Sequence, residues 1–576
     1  MPRSSAATRV QRGLPFPIAA PTGGLNARDA LAAMPPQDAS VMDNLFPLAD
    51  RVKTRAGFVL LSTAGSISMA GQTEGFRRLL SHVKGQTETL FAAFFWIEDV
   101  GGQPKSRLRI YSVNTSTGAL TNVREAITTA TLNGMAGLGE WTQFTSASGL
   151  AYSLLMVSSE IGGVTTSKPQ IYDGTTWADA AITGLPANML GVHAHRGRLW
   201  FYGSAATITE PLKTLSAWYL PTGAVAGAVT EFNLGPFASK GGTIVSMRTW
   251  RRDGGDGGAD DAAVFVTDQG QVLLYAGTDP SAAATWQLVG VFDVGKLASW
   301  QLFYANNDPQ DQYGFFMRDT FAKTYGADVL IMAQTGVISL NKLVAGGAEI
   351  EEFAISSKIQ PALNDAARGW AFGGAAGVVG WKLEHMPILQ QLTVNVPTDL
   401  SLISGATNQI IWVSERFVMN TVTGAWTKFT GINALDSVVV GSKTYFTNGS
   451  RKLYRYDGDA TADVSYTDNS AVAIAFECRQ AYNYLQSPTN KLATLMQPML
   501  RATGNFSMTV QADADFNGGT ISTYKSYTVA STQNVQPILS ANKYGRAFAT
   551  HMKGQTSVGV VSWYATNYTF RNAGLV

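Results

Sequence analysis

The stretch from Asn408 to Gly458 limits what this chain can fold into more than any other. An apolar run, Ile410-Ile411-Trp412-Val413, meets Ser414-Glu415-Arg416, which reads as a turn, and resumes at Phe417-Val418-Met419-Asn420. A Thr423-Gly424 turn leads to Ala425-Trp426-Thr427-Lys428-Phe429. Asp436 to Val440, Thr444 to Thr447 and Lys452 to Tyr456 follow, each bounded by Gly, Ser or Asn, and Asp457-Gly458 closes the series. Short alternating runs separated by turn residues predict about four antiparallel strands in some fifty residues. A four-stranded unit with a Trp strand and an Asp-Gly exit predicts a propeller blade.

The rest of the chain repeats this texture at uneven spacing. Gly139-Glu140-Trp141-Thr142-Gln143-Phe144-Thr145 parallels Gly424 to Thr430, and Trp177 and Trp286 lie in comparable strands. The expected fold is therefore mainly β: a β-propeller with diverged blades over 59–460, and a smaller β-rich platform domain over 461–576 formed together with the segment 1–58. Residues 355–369 predict one short helical insertion, with a Ser cap, an early Pro361 and a Gly369 stop. A pair of non-repeating β-sandwiches is the competing architecture. Trp141, Trp177, Trp286 and Trp426 are expected to be buried blade residues.

Composition narrows the function classes. Charged residues make up 15% of the chain, against about 25% in ordinary domains. A net charge of +2 gives no global electrostatic case for holding nucleic acid or a membrane surface. The single cysteine, Cys478, rules out internal disulfides and reads as a small strand residue. Leu90 to Ile97 is the longest apolar run and is too short to span a bilayer as a helix. The N-terminus shows no secretory signal. A soluble protein made in a reducing cytoplasm is expected.

Three stretches invite chemistry. His193 and His195 share a strand face and would suit a metal pair, but no third ligand is apparent. Asp253, Asp256, Asp260 and Asp261 loosely resemble a Ca²⁺ loop without its spacing or closing Glu, and read as a solvated hairpin tip. Tyr172-Asp173-Gly174-Thr175-Thr176-Trp177 resembles an incomplete sialidase-type Asp-box turn. No nucleophile elbow, phosphate loop or spaced carboxylate pair is present. The sequence predicts no enzyme, no metal and no cofactor.

A family resemblance runs through three sets of residues. The first is Gly23 to Asp29, Met34 to Ala39, Asp43 to Pro47 and Arg55 to Phe58. The second is Ile355 to Pro361 with Val394 to Pro397 and then Asn420 to Gly431. The third is Phe476 to Tyr482, Asn490 to Ala493 and Gln511 to Asp515. In this order the chain resembles the tail nozzle (hub, or tail tubular protein B-like) proteins of short-tailed bacteriophages. The resemblance implies a structural virion protein, synthesised in the host bacterial cytoplasm and placed in the viral tail. It implies a ring of this subunit, usually a homohexamer, below the portal and adaptor (head-tail connector) ring. Tail fibres or a needle are further partners, and double-stranded DNA passes transiently through the enclosed channel. The candidate adaptor-docking residues are Arg3, Arg9, Arg12, Asn26, Arg28 and Asp29, and the candidate channel-lining loop holds Asp253, Asp256, Asp260 and Asp261. A tail-associated glycan depolymerase and a monomeric propeller interaction protein are the alternatives.

Overall fold

The computed structural model describes residues 14–67, 74–99, 104–125, 136–161, 164–187, 189–204, 215–252, 260–295, 297, 302–304, 314–317, 321–346, 353–367, 381–403, 409–456, 458–521 and 525–572. Among them the chain is mainly β and divides into two units. One comprises Met1–Phe58, Val418–Thr430 and Gly458–Val576; the other comprises Val59–Phe417 and Gly431–Asp457.

The larger unit is a propeller. Three sheets are four-stranded antiparallel meanders that begin at Glu74–Lys84, Met189–His195 and Ile244–Arg252, and a fourth holds the meander that begins at Ala136–Thr145, a strand that also pairs in parallel with Gly314–Met317. A three-stranded sheet begins at Ala322–Tyr325, and a sixth begins at Lys382–Met386, which pairs with Gln391–Ile403. The seventh comprises Asp436–Val440, Lys443–Thr447 and Lys452–Tyr456, with Val59–Thr63 added from far upstream: Leu60 pairs with Tyr454 and Val59 with Arg455. An early strand that completes the last sheet ties the two ends of the unit together and leaves fewer open edges.

The first strands of the seven sheets follow one another around an axis. Lys382 and Glu384 reach Asp436 and Ser437 to complete the ring. Their backbones approach closely. A side chain at Gly139 would collide with the carbonyl oxygen of Leu190 on the next first strand, so the position accepts only a hydrogen. Aromatic side chains fill the space between sheets. Trp200 is fully buried, stacks on Trp286 with ring centroids 5.6 Å apart, and meets Tyr219 and Phe265. Trp177, Trp286 and Trp426 are buried as expected. Trp141 is only half-buried.

The smaller unit is woven from three separate segments. Val561–Asn572 lies between Lys491–Ala502 and Leu14–Ala19, with Leu14 opposite Phe570 and Ala19 opposite Ala565. Asp38–Asp43 pairs with Ile474–Gln480, which continues through Phe548–Thr556 to Phe506–Ala514. The sequence predicts residues 1 to about 21 as an arm without core-forming pattern. Residues 14–19 instead form a strand, because Ile18 finds apolar cover against the C-terminal strand. Arg3, Arg9 and Arg12 lie outside the described residues.

The stretch 408–458 is not one blade. Gln409–Asn420 is a single strand running straight through the expected turn at Ser414. Trp426–Phe429 belongs to the smaller unit, where Trp426 pairs with Gly24 and Lys428 with Asp43. Gly24 has φ +83°, and a side chain there would collide with the Trp426 backbone. The expected helix forms as Gln360–Ala367 after a 3₁₀ turn, Ser357–Ile359. A second, Leu340–Ala345, starts at Ser339, whose hydroxyl accepts the N–H of Lys342.

A buried ionic row crosses the smaller unit. His551 Nε2 lies 2.9 Å from Glu477 and its Nδ1 3.3 Å from Asp513, which also accepts from Arg479 Nε at 3.0 Å. Burial raises the Asp513 carboxyl, but the contacts with His551, Gly519 and Gln511 outweigh it and hold the group below its ordinary range. Glu477 is lowered in the same balance by His551 and Lys553. Both carboxylates therefore contribute stability that is complete above about pH 5 and is lost as pH falls through their lowered values. Urea unfolding between pH 6 and pH 3 is expected to show that loss, and Asp513→Asn is expected to flatten the profile while lowering stability at neutral pH. A variant that keeps the wild-type acid slope contradicts the assignment.

Candidate functional site: the axial cavity of the propeller

The first strands place polar and charged side chains around a cavity of about 400 Å³. Arg78 and Ser81 come from the first sheet, Glu140 to Gln143 from the second, and Val192 and His193 from the third. Arg248 comes from the fourth, Lys323 and Thr324 from the fifth, Lys382, Glu384 and His385 from the sixth, and Asp436 to Val439 from the seventh. Strand irregularities aim two of these groups. The pairing register shifts between Leu138 and Trp141, beside Glu140, and between Phe76 and Arg78. An extra residue in a strand turns the following side chains, which is how bulges commonly serve sites.

Each carboxylate is committed to a cation. Glu140 holds Arg248 through both oxygens, at 3.1 and 3.3 Å, and accepts the Tyr202 hydroxyl at 2.5 Å. Arg248 Nε donates to the carbonyl of Ala322 at 2.8 Å, next to Lys323. Asp436 accepts Lys382 Nζ at 2.7 Å, Arg78 at 3.4 Å and the Leu79 N–H at 2.6 Å. Glu384 accepts the Ser437 hydroxyl at 2.5 Å and lies 3.5 Å from Arg416, whose Nε donates to Asn395. Charge-assisted, multiply bonded pairs of this kind fix orientation strongly.

The histidines are held neutral. Burial, then Arg248 and His195, pushes His193 down to about 3. Burial, then Arg196, pushes His195 down to about 4. Both imidazoles converge on the Thr249 hydroxyl, at 3.1 and 2.9 Å, so the pair that a metal would need is engaged with a threonine. Among the described residues no group of three metal-ligating side chains occurs. Lys323 is half-buried, and its ammonium makes no hydrogen bond or ion pair among the described residues. Burial, and then Lys382, lower its pKa. His385, lowered by burial and by Lys323, packs edge-on against Tyr325 at 4.7 Å.

Of the residues singled out from the sequence, His193 lines this cavity, whereas Asn26, Arg28, Asp29 and Asp261 do not. Asn26 is 1% exposed and brackets a loop within the smaller unit, donating to Asp29 and Asp38 and accepting the N–H of Arg28 and Asp29. It braces this loop from within. Arg28 is exposed and bonds Asp29 at 2.8 Å. Asp253 and Asp256 lie outside the described residues. Asp260 and Asp261 pair with Arg252 and Arg251 in the fourth sheet, and the Asp261 carbonyl accepts Arg196 Nε. Asp261 does not line the axial cavity. The Tyr172–Trp177 turn is held by Asp173 Oδ1, which accepts the N–H of Thr175 and Thr176. Sequence reasoning missed the cavity because its groups come from seven separated strands. The available signal was charge within apolar strands, as in Arg77-Arg78 and Lys382-Leu383-Glu384.

The chain matches no family model and no curated protein. It does match solved structures. One is an exo-β-1,3-galactanase from Phanerochaete chrysosporium, at 9% identity, 90% of this chain, 100% of that chain and a TM-score of 0.21. A glycosyl hydrolase from Bacteroides ovatus is 7% identical over 70% of this chain and 94% of that chain, with a TM-score of 0.26. Oligopeptidase B from Leishmania major is 9% identical over 73% of this chain and 55% of that chain, with a TM-score of 0.27. The expectation that the chain is no enzyme falls with these matches, since the proteins matched are hydrolases. At such TM-scores they give this chain no activity, and the propeller stands on its own sheets.

Proposed function

We propose that the chain is a ring-forming structural subunit of a short bacteriophage tail, placed below the adaptor and enclosing the passage for DNA. The observation that carries this reading is where the residues of the family resemblance fall. The first and third sets, Gly23 to Asp29, Met34 to Ala39, Asp43 to Pro47, Arg55 to Phe58, Phe476 to Tyr482, Asn490 to Ala493 and Gln511 to Asp515, lie in the smaller unit together with Asn420 to Thr430 of the second, whose Ile355 to Pro361 and Val394 to Pro397 lie in the larger one. The first set makes internal brackets of the smaller unit: Asn26 with Asp38, Asn44 with Arg55, and Arg55 with Asp463. A resemblance of which two sets build one unit from both ends of the chain supports a shared platform in addition to a propeller. Exposed Leu492, Leu495 and Tyr544 on its strands are apolar groups that a neighbouring subunit would cover.

Electron microscopy and light scattering of the purified chain, alone and with adaptor-bearing capsids, test the reading. Rings of about six subunits are expected, and deleting residues 1–13 with their three arginines is expected to weaken co-sedimentation without loss of β-structure. Affinity of the rings for duplex DNA is expected to be weak at low and high salt, because a passage that binds phosphates through counterion release would hold the strand. A strict monomer that ignores capsids overturns the proposal.

A second reading, a glycan-hydrolysing propeller, is favoured by Glu140, Glu384 and Asp436 around one cavity with the half-buried Trp141. Release of sugars from host-surface glycans, abolished by Glu140→Gln or Asp436→Asn, would establish it.

A further inference from the structure

Among the described residues, the axial cavity gathers more cationic than anionic side chains. Four cations line it, Arg78, Arg248, Lys323 and Lys382, and Arg416 stands behind Glu384. Three carboxylates face these five cations. Glu140 is closed by Arg248 and Tyr202, Glu384 by Ser437 and Arg416, and Asp436 by Lys382, Arg78 and a backbone N–H. Each carboxylate thus has a hydrogen-bonded partner, whereas the Lys323 ammonium has no hydrogen bond or ion pair among the described residues and is attracted by Glu384 and Glu140 without contact. Placing an amine on a desolvated wall costs free energy that an opposite charge would offset. The opening is large enough for a molecule of monosaccharide size, since ligand cavities run upward from about 300 Å³. Ser81, Thr142 and Gln143 add neutral hydrogen-bonding groups to the wall.

We propose that this cavity binds a small ligand bearing an oxyanion, with the anionic group seated on the ammonium of Lys323. The ligand class follows from the wall. A cation of the same size would meet a surplus of like charge, and a neutral molecule would leave the lysine unanswered. This inference is independent of ring formation.

Calorimetric titration of the full chain with acetate, inorganic phosphate, glucuronate and glucose tests it. At least one of the three anions is expected to bind more tightly than glucose, and comparing acetate, phosphate and glucuronate separates carboxylate from phosphate recognition. Lys323→Met is expected to weaken that binding at least about tenfold, the scale of one hydrogen bond to a charged group, while Lys323→Arg retains most of it. The methionine variant is expected to melt no lower than the wild type, because it removes a desolvated charge. No binding of any anion up to about 10 mM, equal affinity for glucose and glucuronate, or undiminished binding by Lys323→Met each overturns the proposal. If the methionine variant fails to fold, Lys323→Gln carries the same comparison.

Discussion

Replacing Arg55 by alanine is expected to cost the smaller unit about 3–5 kcal/mol, the range for breaking a buried ion pair from one side. The Arg55 side chain is 1% exposed and that of Asp463 9%. Nε donates to Asn44 at 2.7 Å. One terminal nitrogen donates to the Ala56 carbonyl and Asp463 Oδ1, both at 2.8 Å, and the other to the Thr430 carbonyl at 2.7 Å and Asp463 Oδ2 at 2.5 Å. Every donor of the guanidinium is therefore used. The partners come from the three segments that make the unit, so one side chain stitches residues near 44–56, 430 and 463. Truncation leaves Asp463 buried and uncompensated, and the Thr430 and Asn44 oxygens lose a donor each. Urea denaturation followed by intrinsic fluorescence measures the change, since Trp426 and Trp563 report on this unit. Arg55→Lys is expected to rescue little, because a point charge cannot serve the fork. Arg55→Met combined with Asp463→Leu is expected to recover part of the loss, as apolar replacement of a buried pair often does. A loss below about 1 kcal/mol would show that the bridge behaves like a surface pair.

Arg248→Met is expected to have the corresponding effect on the propeller, again about 3–5 kcal/mol. The Glu140 side chain is 8% exposed and would lose both of its contacts to Arg248 while keeping the Tyr202 hydroxyl. The Ala322 carbonyl would also lose the Arg248 Nε donor. Glu140→Gln alone strands the guanidinium in the same way. The two substitutions together remove both charges, and their combined cost is expected to fall below the sum by roughly 2 kcal/mol, within the range for directly bonded neighbours. Thermal melts of the four proteins complete the cycle. Strict additivity would mean that the two side chains stabilise the ring independently, and the cavity would then be less preorganised than its geometry implies.

Much of the fold was readable residue by residue. The turn after Tyr172 forms because Asp173 caps two backbone N–H groups three residues away at most, and such a turn needs no distant partner. The burial of Trp177 and Trp286 followed from alternation alone. Ser414 misled because a polar residue within an apolar run looks like a turn. In the folded chain it lies inside a strand, where its hydroxyl accepts the N–H of Ala434 at 3.4 Å. Asn26 misled in the opposite sense. A polar residue near an arginine suggests surface, yet it is a buried bracket whose four hydrogen bonds are all short in sequence or reach only to Asp38.

The sequence by itself determined that this chain would be strands and turns, mainly β, with a propeller and a smaller β domain that draws in its N-terminal segment. Those properties are written in period-2 alternation and in Gly, Asn and Asp at turns, which act over a few residues. Which strand joins which sheet was decided only by the tertiary structure. Trp426–Phe429 has the local features of a blade strand, but pairs with Gly24 and Asp43 some four hundred residues earlier in the chain, because only a residue without a side chain lets that approach close. Val59–Thr63 completes a sheet whose other strands begin at Asp436. The axial cavity belongs to the same category: Arg78 and Asp436 are separated by 358 residues. An ion pair of that kind has no local signal, since nothing about an arginine in one strand specifies which distant carboxylate will neutralise it.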